Sequence, residues 1–239
     1  MLSIIIPTLN EEKYLPKLLE SIKEQDFKDY EILVADANSK DETRKIVTNF
    51  SRALNIRYIN TRNKKGPGLQ RNFGVKKSKF NRLLFLDADV VLPDNFLEAT
   101  LKEIQEKKLS MASCYMKAMS NKRIDKLIHR SVNFFMKINQ HRKYPRALGG
   151  CLFSSKDIHD KIKGFDESIR LCEDYDYVER ANRYGMFRML RSHPIYVSVR
   201  RFEKEGRFNM ILKYLAIEIH RIINGPIKKD IFGYHQDGR

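Results

Sequence analysis

The sequence contains no tryptophan, and it has only three cysteines, Cys114, Cys151 and Cys172, in 239 residues. The cysteines are widely spaced and match no zinc or disulfide pattern, so we expect buried thiols in a reducing compartment. No apolar run approaches the roughly 20 residues of a membrane-spanning helix, and the first residues lack the features of a secretory signal peptide. These absences predict a soluble or peripherally bound protein, in the cytoplasm or at the inner face of the membrane.

Positive charge is what the chain has in excess. Lys and Arg total 46 against 30 Asp and Glu, which gives a formal net charge of +16. Such a charge favours an anionic ligand, a nucleic acid or an anionic membrane surface, although a solvated lysine-rich surface has the same composition. The length fits one large α/β domain, with or without a small appendage.

Apolar segments of strand length alternate with amphipathic helical segments through the first half of the chain. Pro7 is expected to break the first strand, and the glycine-bounded segment from Gly66 to Gly74 is expected to turn the chain into a helix. The alternation predicts a mostly parallel sheet with helices on both faces. Strands are predicted at residues 3–6, 30–35, 55–60, 82–87 and 110–119. A helix is predicted at residues 96–107, between the last two of these strands.

The second half departs from this alternation. Residues 123–142 indicate a basic helix inserted over one edge of the sheet. The later elements are predicted as a strand at 147–154 with a glycine pair, a helix from Glu173 to near Gly185, two short strands around His193-Pro194, and an amphipathic helix at 208–224 that stops at Gly225. No low-complexity linker separates these elements, so the sequence predicts one domain.

Asp87 and Asp89 stand one residue apart at the end of the apolar strand at residues 82–87. Ligands of open α/β sheets bind beyond the carboxyl ends of the strands, where two carboxylates can share a divalent cation and pass it to a phosphate. The alternative is a turn or a helix cap, because Asp is common after strands and Pro93-Asp94 suits the start of a helix.

Five motifs occur in a fixed order, and their joint spacing is more specific than any one of them. They are Ile4-Ile-Ile-Pro-Thr-Leu-Asn-Glu-Glu, Val34-Ala-Asp-Ala-Asn-Ser-Lys-Asp-Glu-Thr, Gly68-Leu-Gln-Arg-Asn-Phe-Gly, Leu86-Asp-Ala-Asp, and Gly149-Gly followed by Glu173-Asp174. Over roughly residues 1–206, this pattern closely resembles the family-2 glycosyltransferases of the GT-A fold. The resemblance implies inverting transfer of a sugar from a nucleoside-diphosphate sugar.

The resemblance also implies how the chain is divided. A single GT-A catalytic domain would occupy residues 1–239, with a nucleotide-sugar-binding half at 1–107 and a smaller acceptor and catalytic half at 108–206. A C-terminal helix and tail would occupy residues 207–239. Because the chain has no tryptophan, it lacks the Gln-x-x-Arg-Trp element of processive synthases, which favours transfer of a single sugar.

By the same resemblance, Pro7 and Thr8 line the nucleotide-base pocket, and Glu12 lies nearby. Asp36 accepts a hydrogen bond from the base. The family often has a second acidic residue beside it, where this chain has Ala37. UDP is expected as the nucleotide ahead of GDP.

Arg71 and Asn72 match the family's Arg-Asn pair, and the fork of an arginine suits a diphosphate or ribose oxygens. Arg200 and Arg201 resemble a Ser-x-Arg-Arg element that closes over the diphosphate. Lys64 and Lys65 either add charge to this region or are simply solvated.

Asp87 is implied to face the ribose, and Asp89 to hold Mg²⁺ or Mn²⁺, with Asp87 contributing to the metal site. The metal would stabilise charge on the leaving nucleoside diphosphate. His193 either completes the metal site or is structural, and a lone histidine before proline favours the structural role.

Glu173 and Asp174 match the acidic pair at the acceptor side. Inverting transfer needs one carboxylate to take the proton of the attacking hydroxyl. The resemblance assigns that role to Asp174, with Glu173 orienting the sugar, although both residues also suit a helix N-terminus. Gly149 and Gly150 would form the floor beneath the transferred sugar.

The acceptor, a hydroxyl or a lipid-linked phosphate, and the oligomeric state stay open. The basic helix at 123–142 and the helix from Phe208 either contact an anionic membrane or pack on the sheet with a solvated lysine face, and ordinary packing is the preferred interpretation. A metal-dependent nucleotidyltransferase is disfavoured, because Pro7-Thr8 stands where that class has a glycine-rich basic loop. A non-enzymatic nucleic-acid- or membrane-binding protein also remains, but no nucleic-acid-binding motif supports it, so we expect no nucleic-acid partner.

Overall fold

The structure is a computed structural model that describes residues 1–62, 66–147, 149–229 and 231. Lys64 and Lys65 lie outside the described residues, as does the tail from residue 232 onward. The strands are β1 (Leu2–Thr8), β2 (Tyr30–Asp36), β3 (Ile56–Asn60), β4 (Arg82–Leu86), β5 (Val90–Val91), β6 (Met111–Ala118), β7 (Cys151–Ser155) and β8 (Phe187–Val197). The helices are α1 (Leu15–Lys23), α2 (Thr43–Phe50), α3 (Pro67–Lys77), α4 (Phe96–Glu106), α5 (Arg123–Asn139), α6 (Lys156–Lys161), α7 (Glu173–Ala181), α8 (Arg200–Glu205) and α9 (Arg207–Asn224).

The strands of the described residues form one sheet in the order β3-β2-β1-β4-β7-β6-β8-β5. The first four strands in that order are parallel, as the β-α alternation predicts. Strand β7 is antiparallel to both β4 and β6, and β5 is antiparallel to β8, so the sheet as a whole is mixed. Strand β6, the last strand of the predicted alternation, is separated from the parallel four by β7 and is parallel to β8.

Strand β1 does not stop at Pro7. Pro7 pairs with Ala35, and the strand continues to Thr8, because a proline fits extended backbone and removes only one ladder donor. The two short strands predicted around His193 are likewise one strand of 11 residues, β8. A shift of register between Cys114 and Met116 of the neighbouring β6 keeps the two strands paired on both sides of the irregularity.

Helix α3 begins directly at Pro67, so Gly68 and Gly74 lie inside a helix and not in the predicted turn. A Cβ atom on Gly74 would lie 2.4 Å from Cγ2 of Ile5 in β1. The glycine is therefore required for close approach of the helix to the strand. Residue type alone does not distinguish this use of glycine from a turn.

The basic helix α5 ends at Asn139 and lies against β6, which is inside the sheet and not at an edge. The side chain of Asn133 accepts a hydrogen bond from the backbone N–H of Met116 and donates one to its oxygen. The polar residues Asp125 and His129 of this helix are buried, and so is Met136. Five other large apolar side chains of the helix are exposed, namely Ile124, Leu127, Phe134, Phe135 and Ile138. Helix α5 therefore packs through only part of its apolar face, with Met136 in the core and Val132 against it. The choice between membrane contact and ordinary packing stays a prediction.

Other element ends also differ from the predictions. Strand β7 begins at Cys151 and α7 ends at Ala181, both inside the predicted limits. The short helices α6 and α8 were not predicted, because each has only six residues and little periodicity. The division of the chain at residues 107 and 206 stays a prediction.

Two apolar cores lie on opposite faces of the sheet. Alternate residues of β1 serve both cores, with Ile4 and Ile6 in one and Ile5 in the other. In the second core, Phe165 and Tyr177 stack with ring centroids 4.2 Å apart, which holds the segment before α7 against the sheet. The thiols of Cys114 and Cys151 are buried, as expected, and the Cys151 thiol donates a hydrogen bond to Cys114 without a disulfide. Cys172 is half-buried.

Replacing Gly74 with alanine should lower the free energy of unfolding by about 1–3 kcal/mol, because the new methyl group overlaps Ile5. Urea unfolding measures the change. The control is the double variant Ile5→Ala/Gly74→Ala. Its loss should be smaller than the sum of the two single losses, since shortening Ile5 makes room for the methyl group. Additive losses would show that the contact with Ile5 is not the reason for the glycine.

Candidate active site

A cavity of about 1170 Å³ opens beyond the carboxyl ends of β1 and β4. It lies where an open α/β sheet is expected to bind ligands. The side chains that line it come from segments far apart in the sequence. The predicted site residues in its lining are Pro7, Thr8, Arg71, Asp87, Asp89, Gly149, Gly150, Glu173, Asp174, Arg200 and Arg201.

Arg71 of α3 is the buried centre of this cavity, with 2% of its side chain exposed. Its guanidinium donates to Glu173 at 2.6 Å and to Asp87 at 2.7 Å. Burial alone would lower the pKa of Arg71, but the carboxylates of Asp87, Glu173 and Asp174 raise it above its ordinary value. The charged guanidinium thus joins the end of β4 to the start of α7.

Asp174 is the second residue of α7, and its Oδ1 accepts the backbone N–H of Tyr175 at 3.0 Å. Its Oδ2 would lie 3.1 Å from a Cβ atom placed on Gly149. Burial, with the adjacent charge of Glu173 second, raises the pKa of Asp174 to about 7. A carboxylate with that pKa can accept a proton near neutral pH.

Arg200 holds a second pair of acidic side chains at the other side of the site. It donates to both oxygens of Glu11 at 2.8 Å, and its Nε lies 3.1 Å from Oδ2 of Asp89. Its guanidinium also lies 4.5 Å from the ring centroid of Tyr14. Burial raises the pKa values of both Glu11 and Asp89, and the charge of Arg200 opposes that rise. In this state Arg200 is the counter-cation of Asp89.

Glu11, which sequence reasoning missed, lines the cavity, whereas the predicted Glu12 does not. The contact of Glu12 with the nucleotide stays a prediction. Glu12 points to the loop after β2, where its carboxylate accepts the backbone N–H of Glu42 and its own N–H donates to Asp41. Two adjacent glutamates at the join of a strand and a helix look alike in sequence. The signal that separates them is the partner Arg200, which lies 189 residues away.

Asp36 is fully buried and is absent from the cavity lining, and its hydrogen bond to a base stays a prediction. Its carboxylate accepts from Thr8 at 2.8 Å, from Tyr58 at 2.7 Å, and from the N–H and hydroxyl of Ser39. These four bonds use its acceptor positions and brace Thr8. Gln70, which sequence reasoning missed, lines the cavity and donates to the backbone oxygens of Thr8 and of the residue before Asp36.

Asn72 lies behind Arg71 and does not line the cavity, so its nucleotide contact stays a prediction. It donates to the backbone oxygen of Phe165 and to Glu167, and it accepts the N–H of Phe165. The ring of Phe165 in turn lies 5.3 Å from the guanidinium of Arg71. Asn72 therefore fixes the surface on which Arg71 rests.

His193 lies in β8 and does not line the cavity that Asp89 lines, so we leave it out of the metal site. The described residues contain no group of three or more His, Cys, Asp or Glu side chains arranged to hold a metal. Asp87 and Asp89 nevertheless fit a hard cation that takes its remaining ligands from phosphate and water. The position of Arg200 beside Asp89 shows that the site accommodates a positive charge.

The mixed sheet, the carboxylate pair after β4 and the acidic pair that opens α7 together define a GT-A fold. The model of Glycosyl transferase family 2 matches residues 3–163, and the chain belongs to that family.

Known relatives and structures agree with this assignment. The chain is 38% identical over 108 residues to the GalNAc(5)-diNAcBac-PP-undecaprenol beta-1,3-glucosyltransferase of Campylobacter jejuni, a match that covers 44% of this chain and 34% of that protein. Staphylococcus aureus TarS 1–349 in complex with UDP-GlcNAc has a TM-score of 0.70 at 23% identity, over 92% of this chain and 66% of that chain. A Pyrobaculum calidifontis mannosyltransferase in complex with GDP-Man and Mn²⁺ has a TM-score of 0.66 at 18% identity, over 82% of this chain and 56% of that chain.

The chain thus spans only part of the length of each of these proteins. None of the helices in the described part of the chain combines the length and hydropathy that a bilayer-spanning helix requires.

Replacing Arg200 with methionine should tighten the binding of Mn²⁺ in the absence of nucleotide by about tenfold, because a cation next to Asp89 is removed. Electron paramagnetic resonance of free Mn²⁺ measures this affinity. Lys45→Met is the matched control, since it removes the same charge from an exposed ion pair with Glu42. Equal affinities in the wild type and Arg200→Met would show that Arg200 does not compete with a cation.

Proposed function

We propose that the chain is an inverting glycosyltransferase that moves a single sugar from a nucleoside-diphosphate sugar to an acceptor hydroxyl. The observation that carries the proposal is the position of Asp174, whose buried carboxylate faces Gly149 in the same cavity as the Asp87 and Asp89 carboxylates. Asp174 is suited to accept the proton of the acceptor, and Asp87 and Asp89 are suited to a diphosphate with its cation.

The donor we propose is a UDP-sugar, with a GDP-sugar as second choice. TarS has been solved with UDP and with UDP-GlcNAc, and the mannosyltransferase with GDP-Man. Pro7 and Thr8 would contact the base, with Thr8 held in place by Asp36. Arg200 and Arg201 supply positive charge on the side of the cavity where the diphosphate would lie.

In the proposed reaction, the oxygen of the acceptor hydroxyl forms a bond to the anomeric carbon of the donor sugar. Asp174 takes the proton of that hydroxyl at the same time. The bond from that carbon to the phosphate oxygen breaks on the opposite face, and the nucleoside diphosphate leaves with the electron pair. Glu173, held by Arg71, is placed to orient the sugar. Mg²⁺ or Mn²⁺ bound by Asp89 and Asp87 would offset the negative charge of the leaving group.

Titration calorimetry with UDP, GDP and their sugar conjugates tests the donor class. We expect one diphosphate to bind in the presence of Mn²⁺ and to bind more weakly with EDTA. Asp89→Ala should lose the metal-dependent part, while Asp94→Ala, just beyond the same motif and outside the cavity lining, should keep it. If no nucleotide binds under any of these conditions, the proposed function is wrong.

Replacing Asp174 with asparagine should lower the rate of sugar transfer about 10²- to 10⁴-fold while leaving UDP affinity unchanged, because only the proton acceptor is lost. Release of UDP from the donor, with water as the acceptor, provides the assay. Asp176→Asn is the control, because Asp176 lies in the same turn of α7 but binds Arg180 at 2.8 Å. Full activity in Asp174→Asn would place the base elsewhere.

The rate should rise with pH through about 7, because Asp174 has a raised pKa and acts only when deprotonated. Protonation below that pKa removes the base, so kcat/KM falls as the pH falls. The charged groups that act on Asp174 are Glu173, Arg71 and Asp87. A pH profile of UDP release measures the transition, and a wild-type profile that stays flat from pH 5 to about 8 would contradict this role.

A further inference from the structure

The cavity is larger than the roughly 300–1,000 Å³ of a typical ligand pocket, and it extends from the catalytic carboxylates into a groove between α5 and α9. We call this extension the α5–α9 groove. Its apolar lining consists of Ile124, Leu127, Ile128, Val132 and Phe135 from α5, and of Ile211, Leu215, Ile217 and Ile222 from α9.

The groove is open, although its lining is apolar. Leu127 is 58% exposed, Leu215 56% and Ile222 73%, and all three belong to the cavity lining. Contiguous exposed apolar surface of this kind marks a binding site more often than it occurs by chance. These three side chains therefore lack cover within the described part of the chain, whereas Ile217 at the base of the groove is buried.

Arg146 lies at the junction between the groove and the catalytic carboxylates. Its guanidinium is 5.6 Å from the ring centroid of Tyr175, the residue next to Asp174, and 5.6 Å from that of Phe135 in α5. It also forms an ion pair with Glu218 of α9. One cation thus contacts the catalytic segment and both helices of the groove.

The charges around this junction favour an anion. Outside the acidic groups already assigned to the donor and to the base, Glu218 is the one acidic residue among the described residues that line the cavity. The basic residues in the same part of the lining are Arg142, Arg146, Arg170 and Lys229. A ligand with an anionic group near Arg146 and an apolar chain in the groove would match both features.

We infer that the acceptor is an amphiphile that carries a phosphate or diphosphate group next to its acceptor sugar or hydroxyl and an apolar chain that lies in the α5–α9 groove. This inference rests on the proposed function. The groove is continuous with the part of the cavity that holds Asp174. This favours the apolar chain of a bound acceptor over a flat membrane surface, since the hydroxyl of the same acceptor must reach Asp174. The phosphate lies by Arg146, and the reacting hydroxyl lies at Asp174.

The absence of tryptophan allows a direct binding test. Leu127→Trp places a single indole in the groove, and Tyr184→Trp places one at an exposed position outside it. Dodecyl phosphate, added below its micelle concentration, should shift the emission of Leu127→Trp to the blue in a saturable way. It should leave the emission of Tyr184→Trp unchanged.

Two charge substitutions on α9 form a matched pair. Leu215 lines the groove, whereas Leu212 is 48% exposed on the same helix and does not line it. In the Leu127→Trp background, Leu215→Glu should weaken the binding of dodecyl phosphate by about tenfold, and Leu212→Glu should change it by less than about twofold. Equal effects of the two substitutions would overturn the assignment of the groove.

Three further probes separate the alternatives. Inorganic phosphate should not shift the emission, and dodecyl maltoside should bind more weakly than dodecyl phosphate, with the difference reduced in Arg146→Gln. If only phosphatidylglycerol vesicles shift the emission, the groove contacts a membrane and the inference is overturned. No shift with any probe also overturns it.

Calorimetry with UDP on the same samples shows whether the donor site is intact. Failure of the groove assignment and failure of the proposed function are therefore distinguishable.

Discussion

The buried guanidinium of Arg71 is the constraint on which the rest of the site depends. A charge that is only 2% exposed requires carboxylate partners, and here Asp87 and Glu173 meet it at 2.7 and 2.6 Å. These partners come from the end of β4 and the start of α7, so satisfying one arginine brings two distant segments together. The same contact places Asp174, next to Glu173, against the backbone of Gly149.

The second cation, Arg200, complements the first. It pairs with Asp89 and Glu11 as Arg71 pairs with Asp87 and Glu173, so each of the two arginines offsets part of the charge of two carboxylates. A donor diphosphate with its metal would bring both an anion and a cation to this arrangement. Arg200 would then exchange a carboxylate partner for a phosphate, with little change in local charge. On the proposed function, donor binding and rearrangement of Arg200 would therefore be linked.

The parallel half of the sheet could be predicted because apolar strand runs alternate with amphipathic helices. The sequence also places Asp87 and Asp89 after a strand and Asp174 at the start of a helix, and the structure brings the three carboxylates into one cavity. What sequence could not show is which polar atoms are already satisfied. Asp36 and Asn72 carry the right residue types, yet hydrogen bonds to Tyr58 and Phe165 occupy them. Such partners lie 22 and 93 residues away, beyond any local pattern.

Helix α5 is a second case in which a partner distant in sequence changes what the local pattern predicts. Its periodicity predicts an apolar face turned inward. In the structure Asp125 is fully buried and accepts two hydrogen bonds from Arg207 at the start of α9, at 2.6 and 2.9 Å. The carboxylate can lie on the inner face of α5 because this arginine pairs with its charge. This pair joins α5 to α9, and the apolar side chains are consequently left to line the groove between them.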